Sequence, residues 1–164
     1  LAIKDVGQLE RLKKSLNSQH PIKIYNYPNT SFCKITIKNR FFFNHIKKYF
    51  ERNKSYSLRM PILEEQLIWH YIRGYFDGDG SICGKKQPCF SIISNIYFLN
   101  QIRDKFIQAG LTNTKLDVRH KDNDKIVSFR YGGRTNIKKI YNLLYSNATI
   151  FMDRKRGVFE KWLN

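Results

Sequence analysis

The chain has 164 residues, 41% hydrophobic and 15% aromatic, with 30 Lys and Arg against 13 Asp and Glu, a net charge of +17. Such a composition excludes a disordered chain, and no apolar run reaches the roughly 20 residues of a membrane helix. The basic excess lies in both halves, 13 basic and 3 acidic residues before Pro61 and 17 and 10 from Pro61 onward, so a polyanion, above all nucleic acid, is the expected partner. No N-terminal signal segment is visible, and an intracellular, reducing location is expected. The cysteines, Cys33, Cys83 and Cys89, are odd in number and form no C-x-x-C. That argues against a disulfide framework and a zinc site, and they read as small core residues. His20, His45, His70 and His120 are scattered.

In chain order, the periodicity predicts a strand at "LAIK" and a helix at "DVGQLERLKKSLN", with Val6, Leu9, Leu12 and Leu16 on one face. Strands "PIKIYNY" and "SFCKITIK" follow around a "PNT" turn, and then a helix "RFFFNHIKKYF". Next comes a helix, "EEQLIWHYIRGYF", running into Asp-Gly-Asp-Gly, and a strand "SICGKKQPCF". The earlier order then returns: strand "FSIIS", a helix from Asn95 with Ile96, Leu99, Ile102 and Phe106 on one face, strands "TKLDVRH" and "KIVSFRY" around "KDND", and helix "RTNIKKIYNLLY".

The two passes are in register. Val6, Leu9, Leu12 and Leu16 map onto Ile96, Leu99, Ile102 and Phe106 at a constant offset of 90. Arg40, Phe43, Ile46 and Phe50 map onto Arg134, Ile137, Ile140 and Leu144 at an offset of 94, and Asn53 then falls on Asn147. This is an internal duplication. The second unit has an extra helix and strand in front, and the first has no counterpart.

The stretch Asp77-Gly78-Asp79-Gly80 has three readings. A calcium loop starting at Asp77 needs Gly at its sixth position and Glu at its twelfth, where the chain has Ile82 and Pro88. A glycine cap is compatible, with Gly78 or Gly80 left-handed. Two acids at the negative end of a helix dipole then call for a compensating cation, and a bound metal is the obvious one. Gly74 and Gly78, four apart and beside Ile68, Tyr71 and Tyr75, would let a second helix approach closely and bring one acid from each helix together.

The nine residues "IRGYFDGDG", Ile72 to Gly80, together with the duplication and the charge, resemble the LAGLIDADG homing endonuclease family across essentially the whole chain. "NKSYSLRMP", residues 53–61, is similar to the segment that links the halves of its pseudo-symmetric members. The resemblance implies an α+β fold of duplicated αββαββα half-domains, with antiparallel saddle sheets over the DNA major groove and helices on the other face. Residues 1–60 would be an N-terminal half lacking its motif helix and first strand, and 61–164 a complete half. The activity implied is hydrolysis of both strands of DNA at a specific site. Asp79 would bind Mg²⁺ or Mn²⁺ and direct a water, Lys38 would line the catalytic pocket, and Gly74, Gly78 and Asp77 would form the helix interface. The repeat partner of Lys38 is Gly132, which leaves Arg130 or Arg134 as substitutes.

Strand alternation gives the groove face independently. Lys34, Thr36 and Lys38 oppose Cys33, Ile35 and Ile37, and Lys23, Tyr25 and Tyr27 oppose Ile22 and Ile24. Lys115, Asp117 and Arg119 oppose Leu116 and Val118, and Ser128 and Arg130 oppose Val127 and Phe129. Of these, Lys23, Tyr25, Tyr27, Lys34, Thr36, Lys38, Lys115, Arg119, Ser128 and Arg130, with Ser91 and Arg134, are the candidate DNA contacts. Lys13, Lys14, Lys47 and Lys48 are phosphate contacts or solvated charge.

One motif is present where cutting both strands takes two. The expectation is that a motif helix upstream of Leu1 completes the site, that the chain self-associates through helix 64–76, or that it binds DNA without cutting. A non-catalytic DNA-binding regulator and an RNA-binding intron maturase are the rival functions. In the family's terms the location would be cytoplasm or nucleoid, or an organelle for an intron-encoded protein.

Overall fold

The structure, a computed structural model, describes residues 1–49, 57–84, 86–120 and 123–163. Residues 53–56 of the expected linker, Phe50 of the repeat, Lys121 and Asp122 of the expected turn, and the side chains of Lys48 and Arg119 lie outside that description. No helix among the described residues is long and apolar enough to cross a membrane.

The elements follow the duplicated order. The first half has α1 (Val6–Ser15), β1 (Ile22–Tyr27), β2 (Thr30–Ile35) and α2 (Arg40–Ile46). The second has α3 (Glu65–Asp79), β3 (Ser81–Cys83), β4 (Cys89–Asn95), α4 (Ile96–Gln108), β5 (Leu116–His120), β6 (Asn123–Gly132) and α5 (Arg134–Tyr145), and a further helix, α6 (Asp153–Leu163), follows. β1 pairs antiparallel with β2, and the second half forms an antiparallel sheet in the order β3-β4-β6-β5. From α3 to α5 the order is αββαββα.

Three local readings need correcting, and one element was missed. "LAIK" is no strand: Ala2 makes one bridge to Phe32, and Ile3–Asp5 then form a 3-10 turn leading into α1. "SICGKKQPCF" is the tip of the β3–β4 hairpin, and Gly84, at φ +150, sits so close to Gln87 that a Cβ would collide with its carbonyl. α3 does not stop at Phe76 but carries both acids within it. It ends at Gly80, whose φ of -80 is ordinary, so glycine is required there for space, because a Cβ would strike the Phe76 ring. α6 was not anticipated at all.

The core belongs to the second half. Phe90, Ile92, Val127, Phe129 and Tyr131 line one face of the four-stranded sheet, and Ile72, Phe76, Leu99, Ile102, Phe106, Ile137, Ile140 and Phe159 pack onto it from the helices. Phe76 stacks on Phe90 at 4.7 Å between ring centroids and meets Phe159 edge-on at 5.8 Å. The matching apolar positions of the first half are poorly covered: Leu9 and Cys33 are buried, but Phe43 is 50% and Phe41 89% exposed, and α2 has no buried residue.

Polar contacts with the start of α6 join the halves. Arg11 donates to the Phe151 carbonyl at 2.7 Å and to Asp153 at 2.6 Å, and lies over the Phe151 ring. Arg154 pairs with the buried Asp5 at 3.0 Å.

Phe76→Ala should lower the unfolding free energy by about 3–5 kcal/mol, the cost of a large cavity among rings that cannot collapse into it. Phe41→Ala should change it by less than about 0.5 kcal/mol, as expected for an exposed side chain. Urea unfolding of the two variants tests the assignment of the core to the second half.

Candidate catalytic carboxylate and nucleic-acid interface

Successive residues of an α-helix are about 100° apart, so residues i and i+2 lie on nearly opposite sides. Asp77 and Asp79 therefore have different environments. Asp77 is fully buried, accepting from the Tyr145 hydroxyl at 2.9 Å and from the Met152 backbone N–H at 3.0 Å. Burial raises its pKa, opposed by those two hydrogen bonds and by Lys155 and Arg73. Burial, and then Asp77 itself, also pushes the Tyr145 hydroxyl up. Asp77 was expected at the helix interface with Gly74 and Gly78. It instead turns inward and ties α3 to α5 and to the segment that starts α6.

Asp79 is exposed and has no hydrogen-bond partner among the described residues. With Leu58, His70, Tyr71, Gly74, Tyr75 and Gly78 it lines an open, mostly apolar cavity of about 480 Å³. Gly74 and Gly78 have open space where a Cβ would be, as a close helix contact requires. Ile68, read with this face, is 7% exposed and belongs to the core. Tyr75 donates to Ser94 at 2.9 Å, which fixes one wall.

The cation that the helix dipole calls for is a side chain. The ammonium of Lys155, on α6, is buried and donates to the carbonyls of Phe76 at 2.5 Å and Gly80 at 2.6 Å, closing the end of α3. Burial, then Arg154, lowers its pKa to about 8, while Asp77, Asp79 and Asp5 pull it back. Arg73 is likewise buried on α3 and donates to the carbonyls of Ile150 at 2.9 Å and Leu144 at 3.0 Å. Neither residue was singled out from the sequence. An arginine in the mostly apolar α3 is the one local signal, whereas Lys155 sits among other charged residues in an unrecognised helix.

The strand candidates gather on two surfaces. His20, Pro21, Lys23, Tyr25, Lys34, Thr36 and Lys38 line one concavity of about 300 Å³. The pairing of Lys23 with Lys34 and of Tyr27 with Thr30 sets this face, although β2 ends before Thr36 and Lys38. Phe32, unremarked in the sequence, stacks between Tyr25 at 4.9 Å and Tyr27 at 5.9 Å. This groove and the cavity at Asp79 share no lining residue.

The outer face of the four-stranded sheet carries Ser81, Ser91 and Arg130 in one row and Ile93, Ser128 and Asp117 in the next, with Lys115 exposed beside it. Ser128 is a correction. It lies on this face but is wholly covered, so it cannot touch a ligand. Arg134 donates to the Trp162 carbonyl at 2.9 Å, so its guanidinium is committed to α6. Arg130 is exposed on the strand face.

No protein-family model and no curated protein sequence matches the chain. Solved structures do. The I-SmaMI LAGLIDADG homing endonuclease bound to cleaved DNA aligns over 99% of this chain and 74% of its own, at 13% identity and a TM-score of 0.62. The LAGLIDADG homing endonuclease I-GzeII in complex with its DNA target aligns over 99% and 76%, at 14% identity and 0.59. The I-LtrWI LAGLIDADG homing endonuclease bound to target DNA aligns over 99% and 75%, at 16% identity and 0.54. The chain has the LAGLIDADG homing endonuclease fold.

Lys155→Met should destabilise the protein at pH 7 by about 1–3 kcal/mol, because the part-buried Gly80 carbonyl loses its donor and the Phe76 carbonyl keeps only the Gly80 N–H. The folded state binds the Lys155 proton less tightly than the unfolded chain, so this group's contribution is least favourable below pH 8 and improves as pH rises toward 10.5. Urea midpoints across that window should therefore climb for the wild type relative to Lys155→Met. Parallel profiles would show that the ammonium is not buried at the helix end.

Proposed function

We propose that the protein is a site-specific endonuclease that hydrolyses phosphodiester bonds in double-stranded DNA, using Mg²⁺ or Mn²⁺ at Asp79. The observation that carries this reading is the unpaired Asp79 carboxylate at the end of a glycine-faced helix whose neighbouring acid, Asp77, is buried. A DNA-binding module has no need of a free acid placed among phosphates.

The donor set fits a hard divalent cation shared with substrate. Among the described residues no three His, Cys, Asp or Glu side chains cluster into a cage. Mg²⁺ commonly takes one or two carboxylates, several waters and substrate phosphates, which is what Asp79 on an open cavity can offer. When bound, such an ion supplies charge stabilisation for the phosphate and an acidified water.

The chain's own residues do the rest. Asp79 presents the ligating oxygens, and Lys155 and Arg73 hold fixed the helix end that carries it. Lys23, Lys34 and Lys38 neutralise backbone phosphates along the groove of the first half. Lys38 and Arg130 are the pocket bases of the two halves, 1–60 and 61–164. Tyr25, Tyr27, Thr36 and Ser91 face the bases, and Lys115 flanks them. Gly74 and Gly78 receive a second motif helix, from another copy of the chain or from a segment outside these residues, which supplies the second acid.

The test is capture of Mg²⁺-dependent double-strand ends from a plasmid library of randomised sites. The wild type should yield a recurrent cut sequence, and Asp79→Asn should lose cutting while retaining affinity for the recovered site. Salt-sensitive binding without any Mg²⁺-dependent cut would make the protein a DNA-binding regulator, and preference for a folded intron RNA would make it a maturase. Lys23→Ala and Lys34→Ala should each weaken binding similarly across sequences and reduce the salt slope by about one. A base-specific change in either variant would remove it from the phosphate contacts.

A further inference from the structure

The two thiols read from the sequence as core residues are not in the core. Of the three cysteines only Cys33 is buried; Cys83 is exposed and Cys89 half-buried. Cys83 and Cys89 are directly paired across the β3–β4 hairpin, next to the Ser81–Ser91 pair on the outer face of the sheet. Directly opposed residues of an antiparallel pair have Cα atoms about 4.5–5.5 Å apart. A disulfide spans about 4.4–6.8 Å, so the pair lies in range whichever type of pair it is. The register is held by the turn, because only glycine fits at position 84 against Gln87. Each sulfur has only long contacts: Cys83 with the Ser81 hydroxyl at 4.0 Å and Cys89 with the Phe90 carbonyl at 3.8 Å.

We propose that Cys83 and Cys89 form a reversible dithiol–disulfide site on the outer sheet face, oxidised by low-molecular-weight disulfides such as glutathione disulfide. Exposed Cys83, as thiolate, attacks one sulfur of the small disulfide and expels one small thiolate. Cys89 then gives up its proton and attacks the Cys83 sulfur of the mixed disulfide, expelling the second. The two protons lost by the cysteines are taken up, through solvent, by the two expelled thiolates, and two electrons pass from the cysteines to the small disulfide, which ends as two small thiols. Burial, then the neighbouring Cys83, raises the Cys89 thiol's pKa, with Arg130 opposing. The closed bond clamps an edge hairpin whose first strand has only three residues. The site is independent of whether the protein cuts DNA.

The experiment equilibrates the folded chain in graded ratios of reduced to oxidised glutathione, quenches with N-ethylmaleimide, digests with trypsin and reads the peptides by mass spectrometry. Cleavage after Lys86 separates the two cysteines, so only a disulfide keeps them in one species. The expected result is one linked species that grows with oxidation and is lost with dithiothreitol, while Cys33 is alkylated only after denaturation. Cys89→Ser should accumulate a glutathione adduct at Cys83. An adduct at Cys83 in both wild type and variant, with no linked species, would overturn the proposal. So would two separately alkylated peptides throughout the series.

Discussion

The end of α3 is the constraint on which the rest depends. A helix that carries acids at its C-terminus is unfavourable electrostatically, and here the Phe76 carbonyl is buried and the Gly80 carbonyl partly so. The buried Lys155 ammonium meets both difficulties, donating to two carbonyls and placing positive charge at the negative end of the dipole. For it to reach, α6 must lie under α3, which requires the Phe159–Phe76 contact and the Met152–Asp77 hydrogen bond. The sheet, α5 and α6 are thus organised around one helix terminus. The same arrangement leaves Asp79 outside, because a helix cannot bury both i and i+2 on one side.

The two halves share a pattern but not a core. Ile137, Ile140 and Leu144 are buried, whereas their partners in the first half include the half-exposed Phe43. The difference is α3: Ile72 and Phe76 fill the space between sheet and helices in the second half, and no described helix does so in the first. The first half is held instead by Arg11, Arg154 and Asp5. Polar contacts of this kind fix orientation well but add little hydrophobic stabilisation.

What could be read from the sequence follows from the physics of each signal. The helices and strands of the duplication were legible because half-buried elements print their period in the chain. α4 and α5 show it best, since Leu99, Ile102, Phe106, Ile137 and Ile140 meet the core directly. The hairpin at Gly84 was missed because two short strands around a polar turn look like one extended segment. Asp77 was misplaced because its partners, Tyr145 and Met152, are some 70 residues away and leave no local trace. Lys155 was invisible for the same reason. Ser128 alternates correctly with Val127 and Phe129, but alternation gives the face of a residue, not whether its neighbours cover it.

The two surfaces proposed to meet DNA differ in a way that has consequences. The two-stranded sheet offers Lys23, Lys34 and Lys38 with no acid among the described residues that line the groove, together with the stacked rings of Tyr25, Phe32 and Tyr27. The four-stranded sheet offers short side chains, Ser81 and Ser91, with Arg130 and Lys115 set against Asp117. Positive charge without opposing acids draws a duplex in whatever its sequence, and its contribution weakens with salt. Small hydroxyls beside one arginine add little of that attraction but discriminate among base edges. On the proposed reading, affinity is concentrated in the first half and discrimination in the second. The half with the weaker core is then the one whose ordering gains most from the DNA it holds.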